Sequence, residues 1–314
     1  MMQDKPMTVV YKADPARAPA WAEAFRLKAP HHDLRLWPDI GEPRDVDCLV
    51  AWEPPRDLAA TFPNLKVLFS VGAGADQFDL AGLPPHLPLV RMVEPGIANG
   101  MSEFVTMAVL ALHRDLPEYL ARQRRHIWEP LPVASARERR VGFLGAGTLV
   151  KASIARLAPF GFPIATWSRH RHEMAGIESH IGPQELPGFL ARTDILVCLL
   201  PLTNETTGLL DAGLFAHLPK GAALVHVGRG AQLHAADLLA ALDCGRLGAA
   251  FVDVTEPEPT PRGHPFWSHP KIVMTPHIAS ATRPYTAALA VLDNLRRLAA
   301  GKPLVGLVDR EKGY

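Results

Sequence analysis

Between Val141 and Arg171 the spacing of apolar residues changes period twice. Val141 to Leu144 (V-G-F-L) is a short, continuous apolar run of strand length. Gly145-Ala146-Gly147 interrupts it, and apolar residues then recur at helical spacing through Ile154 and Leu157 until Gly161. Ile164 to Trp167 opens a second strand. Strand, glycine turn, helix and strand within about thirty residues is the size of a mononucleotide-binding half. Glycines at the turn let the backbone approach a pyrophosphate, which sits on the unpaired N–H groups of the helix N-terminus. Val150 stands where G-x-G-x-x-G has its third glycine. The fingerprint is therefore incomplete, and a plain glycine turn also explains it. A β-branched residue there is expected to push the helix slightly away from the strand.

The same pattern organises the rest of the chain. Thr8 to Tyr11, Asp33 to Trp37, Cys48 to Trp52, Lys66 to Val71 and Leu89 to Val93 read as short strands, with a helix around Trp21 to Leu27. That alternation predicts a parallel α/β domain. Met101 to His126 reads as one long helix with Phe104, Val105, Ala108 and Leu112 on one face, a natural connector between domains. Trp128 to Arg139, rich in proline and arginine, reads as an exposed crossing. Asp194 to Leu199, Ala222 to Val227, Gly248 to Val254 and Ile272 to Met274 continue the second series, and a helix from Ala235 to Asp243 ends at Gly245. Six strands in series fit the doubly wound order of a dinucleotide fold. A last helix, Arg283 to Ala300, returns to the first domain. The expectation is two doubly wound, parallel-sheet, Rossmann-like domains, the second inserted in the first. Residues 1–100 and 285–314 form the substrate domain, and residues 101–284 the dinucleotide-binding domain.

Composition adds bounds. A chain of 314 residues has room for two cores. With 48% apolar and 21% charged residues the balance is that of a soluble globular protein, and a net charge of +1 gives no reason to expect a nucleic-acid or membrane partner. Arg122, Arg124 and Arg125 read as a solvated helix face. Cys48, Cys198 and Cys244 are scattered, which argues for a reducing compartment and against disulfides or a metal cluster. Neither a signal-like apolar start nor a run of membrane-spanning length stands out, so a cytoplasmic protein is expected.

In a doubly wound sheet, ligands bind beyond the carboxyl ends of the strands. The run Ala222–Val227 is followed by Gly228-Arg229-Gly230, and arginine suits bidentate recognition of a carboxylate. Taken alone, a surface turn with a solvated arginine explains it equally well. Gly248–Val254 is followed by Thr255-Glu256-Pro257-Glu258-Pro259, a loop carrying two carboxylates, and Asp253 at the strand end needs a buried partner. Ile272–Met274 is followed by Thr275-Pro276-His277-Ile278-Ala279. A lone histidine is more often structural than catalytic; this one shares a rim with Arg229 and Glu258. His264 and His269 receive no role.

Together these pieces resemble the D-isomer-specific 2-hydroxyacid dehydrogenases over essentially the whole chain. The resemblance is carried by V-G-A-G-A-D (Val71–Asp76), G-A-G-T-L-V, L-P-L-T-N-E-T (Leu200–Thr206), H-V-G-R-G, D-V-T-E-P-E-P and T-P-H-I-A. W-S-R, T-R-P (Thr282–Pro284) and the C-terminal V-D-R-E-K-G-Y look most like the glyoxylate/hydroxypyruvate reductase branch. The resemblance implies that Arg229 holds the carboxylate and carbonyl of a small 2-keto acid, that His277 is the general acid, and that Glu258 rather than Glu256 is its carboxylate partner. Reducing a keto carbon leaves an alkoxide, which needs a proton and nearby positive charge. It also implies substrate contacts from Trp52, Ala73, Gly74 and Arg283. Gly72 and Gly74 free backbone N–H groups for an anion nest, although a plain turn explains them as well. Trp128 reads as a pocket cap or a dimer contact. Cofactor contacts are implied for Gly145, Ala146, Gly147, Thr148, Leu149, Leu200, Pro201, Thr206, Val227, Gly228, Asp253, His277 and Ala279, and a homodimer through the dinucleotide-binding domain is expected.

An acid about twenty residues past the glycine loop usually meets the ribose hydroxyl of NADH. Here that place reads Trp167-Ser168-Arg169-His170-Arg171. Ser168 can hydrogen-bond a 2′-phosphate, and Arg169 and Arg171 can pair with its charge, so NADPH is predicted over NADH. Two other readings keep the fold. One is a relative acting on a bulkier 2-keto acid or phosphite; the other is a non-catalytic dinucleotide sensor that switches partner binding.

Overall fold

The computed structural model describes residues 5–172 and 174–314. The chain forms two compact units, Met1–Ile97 with Ala281–Tyr314, and Ala98–Ser280. The first contains β1 (Thr8–Lys12), α1 (Ala18–Lys28), β2 (Asp33–Leu36), β3 (Cys48–Ala51), α2 (Leu58–Thr61), β4 (Val67–Ser70) and β5 (Leu89–Val90). Its strands are all parallel in the order β2-β1-β3-β4-β5, the doubly wound order of flavodoxin-like sheets. Every residue of β3 and β4 is buried, which is why C-L-V-A and V-L-F-S read as unbroken apolar runs.

The long helix predicted for residues 101–126 is two helices, α3 (Pro95–His113) and α4 (Leu116–Arg124). Asp115 sits at φ 54° between them, and Pro117 lies in the first turn of α4, where its missing N–H is harmless. At 19 residues α3 is long and apolar enough to cross a membrane, contrary to the sequence expectation. Its apolar face goes instead to the core of the second unit, where Val105, Ala108 and Val109 are completely buried.

The second unit continues with β6 (Val141–Leu144), α5 (Thr148–Leu157), β7 (Ile164–Ser168), β8 (Glu178–Ile181), α6 (Gly182–Leu190), β9 (Ile195–Cys198), α7 (Ala212–His217), β10 (Ala222–His226), α8 (Ala235–Asp243), β11 (Leu247–Val252) and β12 (Ile272–Met274). Seven parallel strands, one more than predicted, run in the order β12-β11-β10-β9-β6-β7-β8. The order reverses between β6 and β9, which places the ligand crevice beyond their carboxyl ends. Period-two alternation feeds two cores. Phe143, Val197 and Val225 face α3 and α5, while Leu144, Leu196 and Leu224 join Phe215 and Leu238 on the other side. Burying each such side chain stabilises the sheet by roughly 1.5–3 kcal/mol.

The chain then returns to the first unit as α9 (Pro284–Ala299), which packs on α1. The tail closes the open edge of the first sheet: the N–H of Val308 donates to the carbonyl of Leu89 at 2.8 Å. Covering an edge in this way removes a template for unwanted strand pairing.

Candidate active site

The glycine loop is built as a cradle. Gly145 has φ +111°, a conformation that side chains rarely adopt, and a Cβ there would lie 3.2 Å from the Leu199 carbonyl. A Cβ on Gly147 would meet nothing within 4 Å, so its glycine is not required by the packing around it. Gly147 is the N-cap of α5 and gives it no side-chain cap, which leaves the orphan N–H groups of the first turn available to an anion. Thr148 is exposed and Leu149 half-buried beside it, while Ala146 lies beneath the loop. These features fit a dinucleotide pyrophosphate. Val150 is 1% exposed, within the core shared by α5 and β6.

Three consecutive strand ends bring the predicted chemistry together. His277 Nδ1 lies 2.8 Å from Glu258 Oε2, both side chains being partly exposed. Glu258 Oε1 also accepts the N–H of Thr255. His277 has φ 54°, a left-handed conformation held by its N–H donating to the Asp253 carbonyl at 2.8 Å. The buried Asp253 carboxylate accepts from Thr275 Oγ1 (2.6 Å), from the N–H of Ile278 (2.8 Å) and from that of Ala279 (2.8 Å). The Asp253 carboxylate, expected at the cofactor, thus also fastens the turn that carries His277.

The glycines on either side of Arg229 leave no room for side chains, Gly230 against this loop and Gly228 against Gln232. A Cβ on Gly230 would lie 2.0 Å from the Thr255 carbonyl, and one on Gly228 would meet the Gln232 side chain at 2.1 Å. The Arg229 guanidinium donates to the Gly228 carbonyl. Behind it, burial pushes the His226 imidazole down to about 4; its bond to the Arg229 carbonyl opposes this shift and the charge of Arg229 adds to it. Gln232 belonged to no motif in the sequence, and His226 entered only as the first residue of H-V-G-R-G, with no role of its own. The glycines that flank Arg229 are the signal of close approach that points to them.

The loop after β9 is similarly fixed. Thr206 Oγ1 donates to the Pro201 carbonyl and accepts the N–H of Thr203, and Gln232 Nε2 donates to the carbonyls of Leu200 and Pro201. Val227, Gly228 and Ala279 are buried. At the end of β7, Ser168 donates to the His170 carbonyl at 2.7 Å, Arg169 pairs with Glu205 at 2.6 Å, and Arg171 is exposed. Glu205 was not foreseen.

Within the first unit, the substrate candidates gather at one end of its sheet. Trp52 lies across Gly72, where a Cβ would come within 2.9 Å of the indole. Ser70 Oγ donates to the Gly74 carbonyl and accepts the N–H of Gly72, which shapes the turn around the half-buried Ala73. Thr282 Oγ1 donates to the Val71 carbonyl. The N–H of Arg283 donates to the buried carboxylate of Glu94, another residue that no motif announced.

Residues 106–279 match the family described as D-isomer specific 2-hydroxyacid dehydrogenase, NAD binding domain. The chain is 37% identical to the glyoxylate/hydroxypyruvate reductase A of Yersinia enterocolitica, covering 98% of this chain and 100% of the relative. It belongs to the D-isomer specific 2-hydroxyacid dehydrogenases. Among solved structures of such dehydrogenases, one from Xanthobacter autotrophicus Py2 in complex with NADPH and MES is 38% identical with a TM-score of 0.93, over 98% of this chain and all of that one. The NADPH-dependent glyoxylate/hydroxypyruvate reductase of Sinorhizobium meliloti, in complex with NADP and sulfate, is 34% identical with a TM-score of 0.90, again over 98% and 100%. The two parallel sheets of this 2-hydroxyacid dehydrogenase are thus those of its relatives.

Proposed function

We propose that this 2-hydroxyacid dehydrogenase uses NADPH to reduce small 2-keto acids, glyoxylate to glycolate and hydroxypyruvate to D-glycerate. The observation that carries the reading is the His277–Glu258 pair at 2.8 Å, on strand ends next to that of Arg229. When bound, NADPH supplies the hydride. Gly145, Ala146, Gly147, Thr148 and Leu149 hold its pyrophosphate, and Ser168, Arg169 and Arg171 its 2′-phosphate. Leu200, Pro201, Thr206, Val227, Gly228, Asp253, His277 and Ala279 line the remainder. Arg229 binds the substrate carboxylate and polarises the keto oxygen. With Nδ1 engaged by Glu258, Nε2 of His277 is the atom that gives the proton to the developing alkoxide. Glu258 orients the ring and balances its charge. Trp52, Ala73, Gly74 and Arg283 complete the substrate contacts.

Steady-state assays with glyoxylate, hydroxypyruvate and pyruvate test the reading. Turnover is expected with the first two, with kcat/KM on the order of tenfold or more higher for NADPH than for NADH. Absence of turnover with every 2-keto acid overturns it. The reading includes a homodimer formed through the second unit, supported by the exposed apolar side chains of Leu116, Trp128 and Val133. Sedimentation of the same preparation at the mass of one chain would remove that part.

A further inference from the structure

Both peptide groups of Arg229 are held by side chains that are themselves completely buried. Gln232 Oε1 accepts the N–H of Arg229 at 2.8 Å, and Gln232 Nε2 donates to the carbonyls of Leu200 (3.2 Å) and Pro201 (3.0 Å). The orientation of the amide follows from its partners, because only oxygen can face an N–H and only nitrogen can face two carbonyls. The Arg229 carbonyl accepts the main-chain N–H of Gln232 at 3.0 Å and lies 2.9 Å from His226 Nε2. A carbonyl cannot donate, so Nε2 carries the proton. The other ring nitrogen, Nδ1, has no partner among the described residues. Burying an unpaired ring nitrogen costs free energy that an aliphatic side chain would not. What the imidazole provides here is its bond to Arg229.

We propose that His226 and Gln232 form a clamp on the main chain of Arg229, and that Gln232 ties this clamp to the turn at Leu200 and Pro201 on the cofactor side of the crevice. The inference rests on the reading of Arg229 as the substrate-binding arginine. Both are positioning residues, since neither is accessible to a substrate. A guanidinium stands at the end of a long, flexible side chain, and its aim depends on where its Cα is fixed. A misplacement of about 1 Å at a substrate-orienting group is enough to cost roughly a hundredfold in rate. The glycines complete the arrangement, because Cβ atoms at Gly228 or Gly230 would displace the clamp or the 255–256 main chain. The two members differ in reach: among the described residues the His226 side chain hydrogen-bonds Arg229 alone, whereas that of Gln232 hydrogen-bonds Arg229, the 200–201 turn and Cys198.

That difference supplies the test. The variants H226L, H226Q and Q232L are compared with wild type in steady-state assays and in hydrogen exchange followed by mass spectrometry. H226L is expected to lower kcat/KM for glyoxylate by on the order of tenfold, as loss of one buried hydrogen bond implies, with the KM for NADPH unchanged. H226Q, which keeps a side-chain N–H donor, regains most of that loss. Q232L lowers kcat/KM at least as far and also raises the KM for NADPH several-fold. Its exchange is expected to accelerate in segments 200–207 and 228–233 and not elsewhere. Wild-type exchange in those segments of Q232L, or acceleration spread evenly over the second unit, would overturn the clamp. So would equal effects of H226L on both substrates. Should the wild-type protein reduce no 2-keto acid, the functional reading falls, and the exchange pattern alone decides the clamp.

Discussion

His277 is held by two carboxylates with separate duties. Glu258 meets the imidazole, while Asp253 fastens the turn through Thr275, Ile278 and Ala279. Replacing Glu258 by Gln leaves a hydrogen-bonding side chain of the same size but removes the charge that balances an imidazolium. The expected result is a kcat lowered by about a hundredfold with little change in substrate KM, read by steady-state kinetics. A variant with wild-type kcat would show that the pair is not part of the acid–base machinery. At this scale the sequence was informative where a residue type is rare in its setting. Arg229 between glycines, and His277 after Thr-Pro, could be picked out at strand ends. Gln232 and Glu94 could not, because a buried amide or carboxylate that serves the main chain has no spacing rule; only its partners reveal it.

At the scale of elements, strands buried on both faces, such as β6, β9 and β10, were legible as apolar runs, and the half-buried β2 and β12 were legible too. The strand β8 (E-S-H-I) was missed because it is a polar edge strand, half-buried at most, and offers no apolar run. The break between α3 and α4 was missed because apolar spacing continues across it; the signal was Pro117. Val150 shows the limit of a fingerprint, since the fold places a valine in its core where the pattern has glycine. We propose that the turn after β7 selects the cofactor. The double variant R169A/R171A is expected to raise the KM for NADPH by tenfold or more, roughly the loss of charge-assisted bonds to a phosphate, and to change the KM for NADH about twofold at most. Equal effects on the two cofactors would exclude this turn as the selector. Arg169 also has a competitor in Glu205, which occupies its guanidinium at 2.6 Å.

For the whole molecule, the two sheets have different strand orders, one flavodoxin-like and one dinucleotide-type. The alternation of apolar runs foretold two doubly wound parallel domains, yet it did not separate the flavodoxin-like order of the first from the dinucleotide-type order of the second. One buried group links the second unit to pH. His226 protonates at about 4 in the folded chain, against an ordinary value of 6.5. A depressed value means that the unfolded chain takes up the proton first as pH falls. Stability is therefore full above about pH 6.5 and declines toward pH 4 by about 3 kcal/mol, after which this contribution is gone. Urea unfolding of wild type and H226Q between pH 7 and pH 4 checks the sign: the variant should lose less stability over that window. Parallel losses would place the pH dependence elsewhere.

The glycines of the second unit also differ in what forbids their replacement. Gly230 is fixed by the main chain of Thr255 pressed against it, whether or not any ligand is ever present. Gly147 faces open space, so alanine there would cost the empty protein little and would be felt only when a pyrophosphate arrives. Over evolutionary time the two positions answer to different selective pressures. A lineage that abandoned dinucleotide binding would be free to let residue 147 drift, yet it would still inherit glycine at 230 for as long as it kept the fold.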